Sequence, residues 1–184
     1  MSFIQTPNSN RLHIALFGRR NSGKSSLVNA LAGQDVTLVS DTPGTTTDPV
    51  LKAMEIHGIG PCLFIDTPGY DDEGELGKQR VERTLQIVEK TDIALLLCNK
   101  ENGDIPSDLT EDIYWIELLK KKKIPVIPLV NKADTSDYAT LNVSAIKKHT
   151  SSSPLFVSAK TGHGIELIRQ AIIRCLPEDF DAQS

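Results

Sequence analysis

Hydrophobic and polar residues divide this chain into two kinds of segment. Short apolar runs bounded by polar turns predict strands, and segments with apolar residues every three or four positions predict helices. The predicted strands cover residues 12–17, 50–56, 62–65, 93–98, 126–130 and 155–157. The predicted helices cover residues 26–31, 76–89, 109–122, 139–148 and 165–176.

Alternating strands and helices predict an α/β fold, with helices on both faces of a mostly parallel six-stranded sheet. The run at 93–98 is apolar throughout, as expected of a parallel strand buried on both faces. Strands 50–56 and 62–65 are predicted to pair antiparallel through a turn at 57–60. The stretch 32–49 is rich in Gly, Thr, Asp and Pro, which predicts a long loop, and loops of that length are usually functional or disordered.

A length of 184 residues suggests one domain, expected at 11–177, with a flexible leader at 1–10 and a tail or linker at 178–184. The net charge of −4 provides no basic field to attract nucleic acid or anionic lipid. Residues Lys120–Lys123 form a basic run, which we interpret as a solvated helix end. The chain lacks an apolar stretch of membrane-spanning length and a signal peptide, so we expect a cytoplasmic protein.

The cysteines Cys62, Cys98 and Cys175 are far apart, and the four histidines are equally scattered. We therefore expect buried, inert thiols and no metal site built from cysteine and histidine.

Residues Gly18–Ser25 fit the phosphate-binding loop G-x-x-x-x-G-K-[ST], set between a predicted strand and a predicted helix. Gly18 and Gly23 allow the backbone N–H groups and the helix N-terminus to face an anion. Lys24 is expected to place its charge at the β- and γ-phosphates, and the Ser25 hydroxyl to ligate Mg²⁺.

Four further motifs follow in order: a Thr-rich loop at 42–48, D-x-x-G at 66–69, N-K-x-D at 131–134 and S-A-K at 158–160. Together the five motifs resemble those of the translation-factor-related GTPases and span nearly the whole chain. The resemblance implies the Ras-like P-loop GTPase fold, GTP and GDP as ligands, and Mg²⁺ as cofactor. The Asp134 carboxylate can accept two hydrogen bonds from guanine, which adenine cannot donate, so selection of GTP is expected.

The resemblance also assigns a role to each matching position. The implied nucleotide contacts are Asn21, Ser22, Gly23, Lys24, Ser25, Ser26, Asn131, Lys132, Asp134, Ser158, Ala159 and Lys160. Hydrolysis would involve Lys24, the Thr46 hydroxyl and the Gly69 N–H group as γ-phosphate sensor. The implied Mg²⁺ ligands are Ser25, Thr46 and, through a water molecule, Asp66. Asn21 would offer an oxygen to a potassium ion.

Within the base site, the resemblance implies that Asn131 buttresses the loop, that the Lys132 stem stacks on the base, and that the Ala159 N–H reaches guanine O6. The segment Gly44–Asp48 is similar to the G-T-T-R-D of tRNA-modifying GTPases, although Thr47 replaces the arginine.

Tyr70 stands where Ras-like enzymes place a water-orienting glutamine, so a slow GTPase is expected. A carboxylate could come from Asp71, Asp72, Glu73 or Glu75, although a solvated acidic loop is our interpretation of each of them. Arg19 and Arg20 are interpreted as solvent-facing, and Asn99-Lys100, which lacks N-K-x-D spacing, as surface loop.

Two longer stretches, 33–36 with 39–50 and 65–77, resemble HydF, the GTPase of [FeFe]-hydrogenase maturation. That resemblance implies a switch built on loops 42–48 and 66–75, with hydrogenase maturation proteins as partners. It also implies dimerisation and cluster-binding domains beyond this chain, so iron–sulfur ligands are not expected here.

Three alternatives stay open. An RNA- or ribosome-associated GTPase would carry the same five motifs. A P-loop kinase would need an acceptor pocket but neither N-K-x-D nor S-A-K. A nucleotide-binding module with negligible turnover would fit the Tyr70 substitution.

Overall fold

The structure is a computed structural model that describes residues 11–19, 22–33, 36–42, 50–67, 75–98, 100, 104–134 and 141–180. In these ranges seven strands form one sheet, and five helices pack against it. The strands are β1 (Leu12–Gly18), β2 (Val36–Thr42), β3 (Val50–Ile56), β4 (Gly60–Asp66), β5 (Ile93–Cys98), β6 (Val126–Val130) and β7 (Leu155–Phe156). The helices are α1 (Lys24–Ala32), α2 (Glu75–Val88), α3 (Thr110–Lys121), α4 (Ser144–Thr150) and α5 (Ile165–Arg174).

The strand order across the sheet is β2-β3-β4-β1-β5-β6-β7. Strand β1 lies at the centre and pairs parallel with both β4 and β5. Strands β5, β6 and β7 continue the parallel pairing to one edge. At the other edge β3 pairs antiparallel with both β2 and β4. The prediction of a mostly parallel sheet is therefore confirmed.

Strand β5 shows how the sheet is covered on both faces, since all six of its residues are buried. Ile93, Leu95 and Leu97 belong to the core cluster that contains residues of α1 and α5. The alternate residues Ala94 and Leu96 belong to a second cluster with residues of α2, α3 and α4. Because strand side chains alternate between faces, this division confirms a doubly wound α/β arrangement.

The stretch 32–49 differs from the predicted loop because it contains β2, which gives the sheet one strand more than predicted. Strand β2 pairs only with β3, and its register shifts between Leu38 and Ser40. The Val and Thr residues of β2 suit a strand, but the Gly, Asp, Thr and Pro residues around them led us to predict loop for the whole stretch. Residues 43–49 lie outside the described ranges.

The predicted hairpin between β3 and β4 is confirmed, with Ile56 paired to Gly60 across the turn. Gly58 has φ 80°, a left-handed conformation that suits glycine in a tight turn. Among the helices that the structure describes, none is both long and apolar enough to cross a membrane.

Candidate nucleotide-binding site

The five mutually parallel strands β4, β1, β5, β6 and β7 end at the same edge of the sheet. Their last residues are Asp66, Gly18, Cys98, Val130 and Phe156. The phosphate loop, D-x-x-G, N-K-x-D and S-A-K motifs follow or include four of these residues. Parallel pairing therefore brings to one edge motifs that are far apart in sequence.

The phosphate loop leads directly into α1. Gly23 adopts a left-handed conformation at φ 95°, and a Cβ atom there would overlap the Asn131 side chain. A Cβ atom at Gly18 would come within 2.8 Å of the Leu97 carbonyl oxygen and of Ser22 Oγ. Both positions therefore require glycine, because the loop backbone lies against its neighbours.

Lys24 is 8% exposed, and its ammonium lies inside the loop. Its Nζ donates hydrogen bonds to the carbonyl oxygens of Gly18 and Arg19, both at 2.9 Å. The lysine therefore lies within the phosphate loop, as its predicted role requires.

Ser25 and Asp66 meet beside the N-terminus of α1. The Ser25 hydroxyl donates to Asp66 Oδ2 at 2.9 Å, whereas the buried Asp66 Oδ1 has no hydrogen-bond partner among the described residues. Burial raises the pKa of Asp66, opposed by the Ser25 hydrogen bond and the charge of Lys24.

A divalent cation fits these two residues. A buried carboxylate oxygen without a partner and an adjacent hydroxyl are hard oxygen donors, which Mg²⁺ prefers. A cation there would also offset the burial of the Asp66 charge. The arrangement matches the Mg²⁺ site that the motifs imply.

Asn131 connects the phosphate loop to the predicted base-binding loops. It is 6% exposed, and its Nδ2 donates to the Ser22 carbonyl oxygen at 3.4 Å. Its Oδ1 accepts from the Ala159 N–H at 3.2 Å. Contact between that N–H and a guanine O6 would therefore require this hydrogen bond to be shared or exchanged.

Asp134 is exposed and held by the S-A-K loop. The Ser158 hydroxyl donates to Asp134 Oδ1 at 2.6 Å, and this hydrogen bond lowers the pKa of the Asp134 carboxyl. The carboxylate is therefore oriented and ionised at neutral pH, as guanine recognition requires. Lys160 is exposed nearby, and its charge contributes to the same pKa shift. Ser26 is exposed on α1.

Lys100 lies in the loop after β5 and contacts the predicted base-binding loop. Its Nζ donates at 2.6 Å to the carbonyl oxygen of Lys132, an exposed residue in a left-handed conformation at φ 62°. Burial lowers the pKa of Lys100, opposed by the charge of Asp134. Lys100 immediately follows Asn99 after β5, and the N-K dipeptide was the only sequence signal for it.

The solvent-facing interpretation of Arg19 is wrong. Its guanidinium donates from Nη2 and Nε to Asp112 Oδ2 of α3, at 3.1 and 3.3 Å. No motif indicates Asp112, which lies 93 residues away in sequence.

Several predicted site residues lie outside the described ranges, and their roles stay predictions. These are Arg20, Asn21, Thr46, Gly69, Tyr70, Asp71, Asp72 and Glu73. The side chain of Glu75, the first residue of α2, is likewise not described.

Cys62 and Cys98 are buried, as predicted for inert thiols, and Cys175 is half-buried. Burial raises the pKa of Cys62 to about 12 and also raises the pKa values of Cys98 and Cys175. Among the described residues, no group of three or more His, Cys, Asp or Glu side chains could hold a metal ion.

Residues 13–132 match the family described as 50S ribosome-binding GTPase. The tRNA modification GTPase MnmE of Nitrosomonas europaea is 35% identical over 164 residues, which is 89% of this chain and 34% of that protein. The chain therefore spans about a third of the length of this relative.

Solved structures of Era are similar in sequence and fold. Era of Aquifex aeolicus bound to GDP and AlF4⁻ is 32% identical with a TM-score of 0.67, over 90% of this chain and 57% of that chain. Era in complex with MgGDPNP and a segment of 16S ribosomal RNA is 30% identical with a TM-score of 0.68, over 95% of this chain and 60% of that chain. These similarities confirm the Ras-like P-loop GTPase fold.

Proposed function

The chain belongs to the family of 50S ribosome-binding GTPases, and we propose that it is a Mg²⁺-dependent switch domain that hydrolyses GTP slowly. The observation that supports this proposal best is the position of Asn131, bonded to both the phosphate loop and the S-A-K loop. Through Asn131, the places expected to receive the phosphates and the base belong to one connected site.

The proposed reaction is attack of water on the γ-phosphoryl group of GTP. The Lys24 ammonium and the loop N–H groups would stabilise charge that develops on the phosphate oxygens. Ser25, Asp66 and Thr46 would hold the Mg²⁺ ion, which supplies positive charge at the phosphates. Thr46 and the Gly69 N–H would respond to the γ-phosphate, so loops 42–48 and 66–75 would change state on hydrolysis.

The named relatives favour an RNA-related setting for this switch. MnmE is named for tRNA modification, and the second Era structure contains ribosomal RNA. Because this chain covers 34% of MnmE, an RNA-directed activity would belong to a longer protein. The net charge of −4 suits a domain that supplies the switch while other parts contact RNA.

The second candidate is the G domain of an [FeFe]-hydrogenase maturation protein. It rests on the stretches 33–36 with 39–50 and 65–77, whose sequence resembles HydF. The proposed GTP chemistry is the same in both settings, and the candidates differ in what the switch controls.

Deleting the gene in its host tests both candidates. The tRNA-related function predicts the loss of specific modified nucleosides, measured by mass spectrometry of digested tRNA, with any hydrogenase activity unchanged. Hydrogenase maturation predicts intact tRNA modification and loss of [FeFe]-hydrogenase activity. A deletion that alters neither measurement contradicts both candidates.

Hydrolysis itself is tested with the purified chain, GTP and Mg²⁺. We expect slow release of inorganic phosphate that does not depend on an added phosphate acceptor. Binding of GTP without phosphate release would indicate the module with negligible turnover. Phosphate transfer that requires an acceptor would indicate a kinase.

A further inference from the structure

The Arg19 side chain joins the start of the phosphate loop to the first turn of α3. Besides its two hydrogen bonds to Asp112 Oδ2, the guanidinium donates to the carbonyl oxygen of Asp108. The exposed fractions of the Arg19 and Asp112 side chains are 17% and 3%. This ion pair is therefore largely removed from solvent, unlike the exposed pairs that contribute little to stability.

A second contact ties the same end of the loop to the same helix. The rings of Phe17 and Trp115 lie 5.9 Å apart, and both residues are 0% exposed. Trp115 lies three residues after Asp112, so both side chains occupy one face of α3. The residues on either side of Gly18 are thus both held by this face.

The backbone of Arg19 faces the inside of the loop while its side chain lies against α3. Its carbonyl oxygen accepts hydrogen bonds from Lys24 Nζ at 2.9 Å and from the Ser22 N–H at 3.3 Å. Arg19 therefore has two roles. Its carbonyl oxygen holds Lys24 within the loop, and its guanidinium is bound by Asp112.

We propose that Asp112 is a positioning residue that acts through Arg19 to preform the phosphate loop before nucleotide binds. The carboxylate fixes the guanidinium, which fixes the Arg19 peptide in the orientation that places Lys24 and the following N–H groups. A preformed loop binds phosphate more tightly because less conformational freedom is lost on binding. This inference rests on the proposed GTP-binding function, and Asp112 itself would contact neither nucleotide nor metal.

Variants of both partners test the proposal: Asp112→Asn, Arg19→Met, the double variant and the conservative Arg19→Lys. Glu111→Gln, at an exposed position beside Asp112 on α3, is the matched control. For each protein we would measure GDP affinity with a fluorescent analogue, kcat and KM for GTP, and the melting temperature.

We expect GDP affinity to fall by about tenfold in Asp112→Asn and in Arg19→Met, as for other positioning contacts. The double variant should be no weaker than either single variant, because both remove one interaction. The kcat should change by less than about threefold, since the bound ground state and the transition state lose the same binding free energy. Arg19→Lys should retain part of the affinity, and Glu111→Gln should bind GDP like the parent.

Unchanged GDP affinity in folded Asp112→Asn would overturn the proposal, whatever happens to its melting temperature. A loss of kcat with unchanged GDP affinity would also overturn it and would assign Arg19 to the transition state. If Asp112→Asn does not fold, Arg19→Met provides the comparison because it removes the same ion pair from the other side, and unchanged GDP affinity in folded Arg19→Met would likewise overturn the proposal. A parent chain that does not bind GDP would overturn the proposed function and this inference together.

Discussion

Replacing Asp134 with asparagine tests the proposed base recognition most directly. The Asp134 carboxylate accepts a hydrogen bond from Ser158 at 2.6 Å, and an asparagine amide oxygen can accept the same bond. The variant should therefore keep the loop in place. What changes is the second oxygen, which becomes an amide donor facing the donors of guanine.

The expected loss can be derived from the interaction that is removed. A hydrogen bond to a charged group contributes about 1.5–3 kcal/mol, which corresponds to a loss of about 10- to 150-fold in GDP affinity. Xanthine presents a carbonyl where guanine has its 2-amino group, so the variant should gain affinity for XDP. The ratio of the two affinities should then shift in favour of XDP.

Competition of unlabelled GDP and XDP against a fluorescent GDP analogue measures that ratio. Asp179→Asn, the same change at an exposed position after α5, is the control and should bind GDP like the parent. Equal GDP affinity in Asp134→Asn and the parent would show that this carboxylate does not read the base. A melting temperature close to that of the parent would confirm that the loop is intact.

Four further predictions concern the metal, the switch loop, the monovalent cation and the base loop. Because burial raises the pKa of Asp66, ionisation of this carboxyl as the pH rises should lower the free energy of unfolding of the metal-free parent relative to that of Asp66→Asn. Asp66→Asn should lack that pH dependence and also lose the increase in melting temperature caused by Mg²⁺ with GDP, and thermal unfolding across pH checks both. Thr46→Ala should reduce turnover by at least about tenfold with little change in GDP affinity, since its proposed contact needs the γ-phosphate; equal turnover would move the role to another residue. Hydrolysis should be faster in KCl than in matched NaCl for the parent but not for Asn21→Ala, and equal parent rates in the two salts would contradict the potassium site. Lys100→Met should weaken GDP binding by about five- to tenfold, because it removes a charge-assisted hydrogen bond to Lys132; equal affinity by the same competition assay would limit Lys100 to packing.

Local pattern predicted most elements of the fold within a few residues. The apolar run at 93–98 coincides with β5, and the predicted segment 109–122 contains α3 at Thr110–Lys121. These agreements follow because the spacing of apolar residues along the chain reflects which side chains an element buries. Strand β2 was missed because its pairing with β3 does not appear in its own composition.

In the candidate site, too, some features were predicted from the sequence and others became visible only in the tertiary structure. What the sequence determined by itself is which residue types stand at the motifs, and these predict a lysine and glycines for phosphate, a serine and an aspartate for Mg²⁺, and a carboxylate for guanine. These groups carry their chemistry in residue type and spacing, so they are visible before folding. Only the tertiary structure decided that Arg19 binds Asp112, that Lys100 supports Lys132, and that Asn131 joins two loops. Such contacts join residues 28 to 109 positions apart, and they form because the parallel strands end at one edge and the helices pack beside it.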